Sequence, residues 1–116
     1  MITIDDFAKV EMRVGLVTDA VNKDGSEKLI KLTVSFGEET RTIFTGVRGF
    51  GYTPEDFLNK KFLFVTNLEY RKMMDEESQG MILAVDGPEN KPIFVSGENL
   101  QIGSKIRWIL LFVHSL

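Results

Sequence analysis

Ile30-Lys31-Leu32-Thr33-Val34-Ser35-Phe36-Gly37-Glu38-Glu39-Thr40-Arg41-Thr42-Ile43-Phe44-Thr45-Gly46-Val47 carries the clearest architectural signal in the chain. Ile30, Leu32, Val34 and Phe36 alternate with Lys31, Thr33 and Ser35, the period-two pattern of a half-buried strand. Gly37 to Thr40 reads as a short hairpin loop, and a further strand runs from about Arg41 to Val47. Toward the N-terminus, Asn22 to Glu27 is a turn. Before it, Val10, Met12, Val14 and Leu16 alternate with Glu11, Arg13 and Gly15, again strand periodicity. The chain opens on a short predicted helix, capped by Thr3 with Asp6 three residues on, with Ile4, Phe7 and Ala8 as its inner face.

Toward the C-terminus, Gly46, Gly49 and Gly51 mark a glycine-rich stretch, and Thr53-Pro54-Glu55-Asp56 has the composition of a helix start. That helix must be short, because Lys60-Lys61 gives way to an apolar strand, Phe62 to Val65. Asn67 to Gly80 is polar and charged without helical periodicity and reads as a loop. Met81 to Val85 and Ile93 to Val95 are strands around a turn at Asp86 to Asn90, and Gly103 to Lys105 is a turn before a last apolar run. The pattern is all-β with short helices, a small closed barrel. The order of elements fits the OB-fold, a five-stranded Greek-key barrel, although periodicity does not separate it from other small barrels.

The 116 residues suit one domain, with 43% hydrophobic and 27% charged residues. Cysteine is absent, which removes thiolate metal sites and cysteine nucleophiles and fits a reducing compartment. The start carries acid where a signal peptide carries base. Trp108 to Val113, six residues, is far below the roughly 20 needed to span a bilayer. A cytoplasmic location is expected. The single histidine, His114, leaves no His pair for zinc and no placed general base, and no phosphate-cradling or dinucleotide glycine motif occurs. Asp75, Glu76 and Glu77 form a solvated charged loop rather than a metal site. No enzyme activity, cofactor or metal is expected. A net charge of −3 argues against a generic polyanion binder, so any nucleic-acid function must come from a local basic patch.

Asn67-Leu68-Glu69-Tyr70-Arg71-Lys72-Met73-Met74-Asp75-Glu76-Glu77-Ser78-Gln79-Gly80-Met81-Ile82-Leu83-Ala84 resembles the pattern Asn-Leu-x-Pro-Arg-Lys-Met-x-Gly-x-Glu-Ser-x-Gly-Met-x-Leu-Ala. That pattern marks the tRNA-binding domain at the C-terminus of bacterial methionyl-tRNA synthetase. Copies occur in free-standing tRNA-binding proteins, the phenylalanyl-tRNA synthetase beta subunit, the endothelial monocyte-activating polypeptide and a secretion-associated chaperone-like protein. Asp5 to Gly15, Ser26 to Val34 and Arg41 to Ile43 are similar to further blocks of the family, so the resemblance runs from about Ile4 to Arg107. It implies an OB barrel, a homodimer and a non-catalytic tRNA-binding role, free-standing or beside an aminoacyl-tRNA synthetase.

The matching positions implied to contact tRNA are Lys28, Lys31, Arg41, Asn67, Arg71, Lys72, Ser78, Gln79 and Met81. Arg71 suits bidentate phosphate pairing, and Lys28, Lys31 and Lys72 offer point charges. Asn67, Ser78 and Gln79 suit base edges or 2′-hydroxyls, and Met81 an unstacked base. Gly80 is expected at a close backbone approach or a positive φ. Tyr70 replaces the family proline and Asp75 the family glycine; the second adds negative charge and is expected to weaken phosphate binding. The run Trp108 to Val113 is expected to cover a dimer interface. The acidic balance, Asp75 and this tail favour an alternative, a chaperone-like or protein-interaction module on the same fold.

Overall fold

The computed structural model describes residues 1–108, so the apolar run beyond Trp108 lies outside the described residues. Its centre is a five-stranded antiparallel sheet in the order β3-β2-β1-β4-β7. The strands are β1 (Met12–Asn22), β2 (Ile30–Ser35), β3 (Thr40–Thr45), β4 (Lys61–Val65) and β7 (Met81–Ile82). Two small hairpins complete it: β5 (Arg71–Met73) with β6 (Glu76–Ser78), and β8 (Ala84–Asp86) with β9 (Pro92–Phe94). The long β1 bends across the sheet, pairing with β4 through Met12 to Leu16 and with β2 through Leu16 to Asn22, with an irregularity between Val17 and Asp19. Bulges of this kind let one strand serve two walls of a barrel.

The outer strands β3 and β7 each lie two antiparallel steps from β1 and so run in the same direction. Main-chain and side-chain bonds from Ser78 and Gln79, just before β7, stitch the seam. The Gln79 N–H donates to Thr42 O, the Thr42 N–H to Gln79 Oε1 (both 2.8 Å), and the Phe44 N–H to Ser78 Oγ at 3.0 Å. The result is the nearly closed, OB-like barrel that the element order suggested.

Val17, Ile30, Leu32, Val34, Phe36, Ile43, Phe57 and Phe64 are fully buried and fill the interior. Phe36 meets Phe64 edge-on at 5.6 Å, and Tyr52, Phe57, Phe62 and Phe94 form a second aromatic group beneath the β8–β9 hairpin. In β1 the inward face is not the apolar alternation of the sequence. A Cβ on Gly15 would lie 2.5 Å from Val34 Cγ1 and within 3 Å of Phe64 and Phe36. Gly15 and Val17 therefore face the interior. Val14 is buried on the other side, against Gly97 and Lys61.

Arg13, on the interior face of the same strand, is only 8% exposed. It donates to Gly103 O (3.2 Å) and Phe36 O (3.3 Å), pairs with Glu38 and Glu39, and lies over the Phe36 ring. The hairpin loop at Gly37 to Thr40 is thus where a buried guanidinium finds its counter-ions.

The predicted N-terminal helix forms over Ile4–Ala8, with the Asp6 N–H donating to Thr3 Oγ1 at 3.0 Å. No residue in it is buried, so the expected inner face of Ile4, Phe7 and Ala8 meets no core. The helix expected at Thr53 is a single 3₁₀ turn, Pro54–Asp56, closed by the Thr53–Asp56 capping box. The expected loop Asn67 to Gly80 holds the β5–β6 hairpin instead.

Candidate nucleic-acid interface

The β5–β6 hairpin grows from the seam and folds back over the barrel. Ser78 is bonded to the free edge of β3 at Phe44. Glu76, two residues earlier, reaches Lys31, whose cross-strand partner on β3 is Phe44. The strand between crosses the Phe44 side chain, which leaves that ring 5% exposed although it shares the outer face of the sheet with Lys31.

Four charges hold the tip down. Lys23 Nζ lies 2.6 Å from Asp75 Oδ1 and also contacts Glu76 Oε2, while Lys31 Nζ lies 2.6 Å from Glu76 Oε1. One carboxylate thus bridges two ammonium groups. Hydrogen bonds from Lys23 hold the carboxyls of Asp75 and Glu76 below their ordinary values, Lys31 adding to the second, and Asp75 and Glu76 in return raise Lys23. The charge of Asp75 is therefore met by Lys23 rather than left to repel a phosphate.

The residues singled out from sequence divide in two. Lys28, Arg71, Lys72 and Met81 are exposed. Lys28, Arg71 and Lys72 enter no ion pair among the described residues. Lys28 sits in the β1–β2 turn, whose Ser26 carbonyl accepts from Arg48 Nη1 and whose Lys28 carbonyl accepts from the Arg48 N–H. Arg48 therefore braces that turn, a role without a period or motif to signal it. Tyr70, beside Arg71, is half exposed, as is Met74 at the hairpin tip.

Lys31, Arg41, Asn67, Ser78 and Gln79 form the frame. Arg41 stands opposite Val34 on the interior face, donates to Thr66 O and to Gln79 O (3.1 Å), and pairs with Glu39 at 2.6 Å. That pairing holds the Glu39 carboxyl below its ordinary value and raises the guanidinium further. Asn67 accepts from the Glu11 N–H at 2.7 Å and donates to Lys9 O, fastening the N-terminal segment to the end of β4. Ser78 is 3% exposed, accepting from Phe44 and donating to Gly80 O at 2.9 Å. Gly80 is where backbones approach closely, since a Cβ there would stand 2.9 Å from Val65 O.

Replacing Ser78 by alanine should strand a buried N–H and a carbonyl together. About 1–3 kcal/mol of stability is expected to go, read by urea unfolding. A loss below about 0.5 kcal/mol would mean that water takes over both bonds.

Among the described residues no group of three or more His, Cys, Asp or Glu is arranged to hold a metal ion, and no helix is long and apolar enough to cross a membrane. Comparison with known proteins agrees with the fold and the seam motif. Residues 12–105 match the family model described as "Putative tRNA binding domain". The methionine–tRNA ligase of Caldanaerobacter subterraneus subsp. tengcongensis is 43% identical over 105 residues, covering 90% of this chain and 16% of that one. The methionine–tRNA ligase of Pyrococcus horikoshii is 37% identical over 106 residues, covering 91% and 14%. This chain thus spans about one-seventh of the length of these relatives.

The crystal structure of a MetRS-related protein from Pyrococcus horikoshii superposes with a TM-score of 0.86 at 38% identity, covering 92% of this chain and 98% of that one. The CsaA chaperone protein of Picrophilus torridus shares the fold, with a TM-score of 0.82 at 23% identity, covering 92% of this chain and all of that one. The chain belongs to the tRNA-binding domain family, and corresponds to a tRNA-binding module and not to the catalytic part of a methionine–tRNA ligase.

Proposed function

We propose that this module binds tRNA through the exposed rim formed by the β1–β2 turn and the β5–β6 hairpin, recognising phosphates and shape rather than an anticodon. The observation that carries the reading is the pair Arg71 and Lys72. In a chain of net charge −3 they stand exposed, without ion-pair partners among the described residues, on a hairpin anchored to the barrel seam. Lys28 extends the positive rim, and Tyr70 and Met81 offer surfaces for an unstacked base. On this reading Arg41, Asn67, Ser78 and Gln79 serve chiefly by holding that rim in place.

The module acts in the cytoplasm as one domain, as a homodimer, free-standing or beside an aminoacyl-tRNA synthetase, and raises the local tRNA concentration for its partner. The test is binding of labelled bulk tRNA across a salt series. Affinity should fall as salt rises, and Arg71→Ala should weaken binding and flatten the log–log salt slope by about one unit. Absence of binding even at low salt would end the tRNA reading and turn attention to protein partners of the same barrel.

A further inference from the structure

We infer that Lys23 and Lys31 form a second phosphate site on this face, closed by the chain's own acids, with Glu76 standing where an RNA phosphate would bind. The inference rests on the tRNA reading for its natural ligand, but the site itself is argued from geometry.

The two oxygens of Glu76 are divided between the two ammonium groups, Oε2 to Lys23 and Oε1 to Lys31. A phosphate offers the same two-oxygen bridge, with more charge. Asp75 adds a second contact to Lys23, whose side chain is left 10% exposed. Beneath the same hairpin lies Phe44, an aromatic ring on the outer face of the sheet beside Lys31. Lys31 beside a ring on the outer face of β2 and β3, with Lys23 in the adjoining β1–β2 turn, is the kind of composition that OB-folds present to nucleic acid. Here the hairpin covers it.

One of the two covering residues is a departure from the family pattern. Asp75 stands at its glycine, and Glu76 at a position the pattern leaves open. Glu76 and Asp75 together act as a tethered competitor, so apparent affinity at the lysines is reduced by the fraction of molecules in which the acids are displaced. Phosphate bound at Lys23 and Lys31 would free the hairpin tip, and with it the Phe44 ring.

The experiment compares wild type with the Asp75→Gly, Glu76→Gln double variant, using inorganic pyrophosphate as the probe and nitrogen-edited NMR shifts of Lys23 and Lys31 as the readout. If one molecule in ten is open at rest, the double variant should bind pyrophosphate about tenfold more tightly than wild type. Adding Lys31→Gln should abolish the gain. A parallel tRNA titration of the double variant should show a salt slope steeper by about two units.

Equal or weaker pyrophosphate binding by the double variant would overturn the proposal and make the four charges a positioning clamp. If the variant melts well below wild type, Glu76→Gln alone, which preserves volume, carries the same two outcomes. A pyrophosphate gain with no tRNA binding by either protein would leave the phosphate site standing and remove the tRNA reading.

Discussion

Gly15→Val should cost about 3 kcal/mol of folding stability, the upper part of the range for overpacking a filled core. A Cβ at this position would stand 2.5 Å from Val34 Cγ1, 2.8 Å from Phe64 Cε1 and 2.9 Å from Phe36 Cε1. All three neighbours are fully buried side chains, Val34 and Phe36 on β2 and its end and Phe64 on β4, so none can withdraw without opening space elsewhere. Valine would add two further methyl groups in the same place. For a domain of this size the loss should lower Tm by about 12 °C, seen by circular dichroism. Gly15→Ala should fall in the same direction and by less. A valine variant within about 0.5 kcal/mol of wild type would mean that β1 can shift its register on β4, and the inward assignment of Gly15 would be wrong.

That position also marks the limit of what the sequence discloses. Alternation in Ile30 to Phe36 identified both the strand and its buried face, because every apolar residue there points one way. In β1 the same rule located the strand but not the face. Val14 is buried against Gly97 and Lys61, so both sides of the strand are covered, and the interior side is marked by a glycine and an arginine. Period-two reasoning assumes that the inner residues are the large apolar ones. Where a strand must bend across a crowded barrel, space demands the opposite.

The β5–β6 hairpin was hidden for a different reason. Its strands are three residues long, polar, and held by ion pairs to Lys23 and Lys31, 45 to 53 positions away, which leave no local period. The resemblance of Asn67 to Ala84 to a tRNA-binding pattern singled out the segment that contains this hairpin. It carried no information on which of those side chains face solvent. Ser78 and Arg71 belong to one motif, yet one hydroxyl is spent inside the seam while the guanidinium is exposed.

Arg41 is the residue on which motif and geometry diverge most, and Arg41→Ala separates them. Its guanidinium reaches Thr66 O, Gln79 O and Glu39 from the interior side of β3, spanning the seam where β3 and β7 have no ladder of their own. Alanine would leave two carbonyls without a donor at the point where the barrel closes. Bonds from a charged donor are worth about 1.5–3 kcal/mol each, so a net loss of about 3 kcal/mol is expected after water recovers part of the site. Arg41→Lys should recover only part of it, since one ammonium cannot span three acceptors as a planar fork does.

The same variant has a second readout. With the guanidinium engaged inside, the salt slope of tRNA binding, measured well below Tm, should stay within about half a unit of wild type, whereas Arg71→Ala flattens it by about one. A stable Arg41→Ala protein with a flattened slope would reverse the assignment. Arg41 would then be a phosphate contact, and the seam would be held by Gln79 and Ser78 alone. Unfolding midpoint and salt slope should therefore move separately in the two variants, because one arginine closes the barrel and the other stands on its rim.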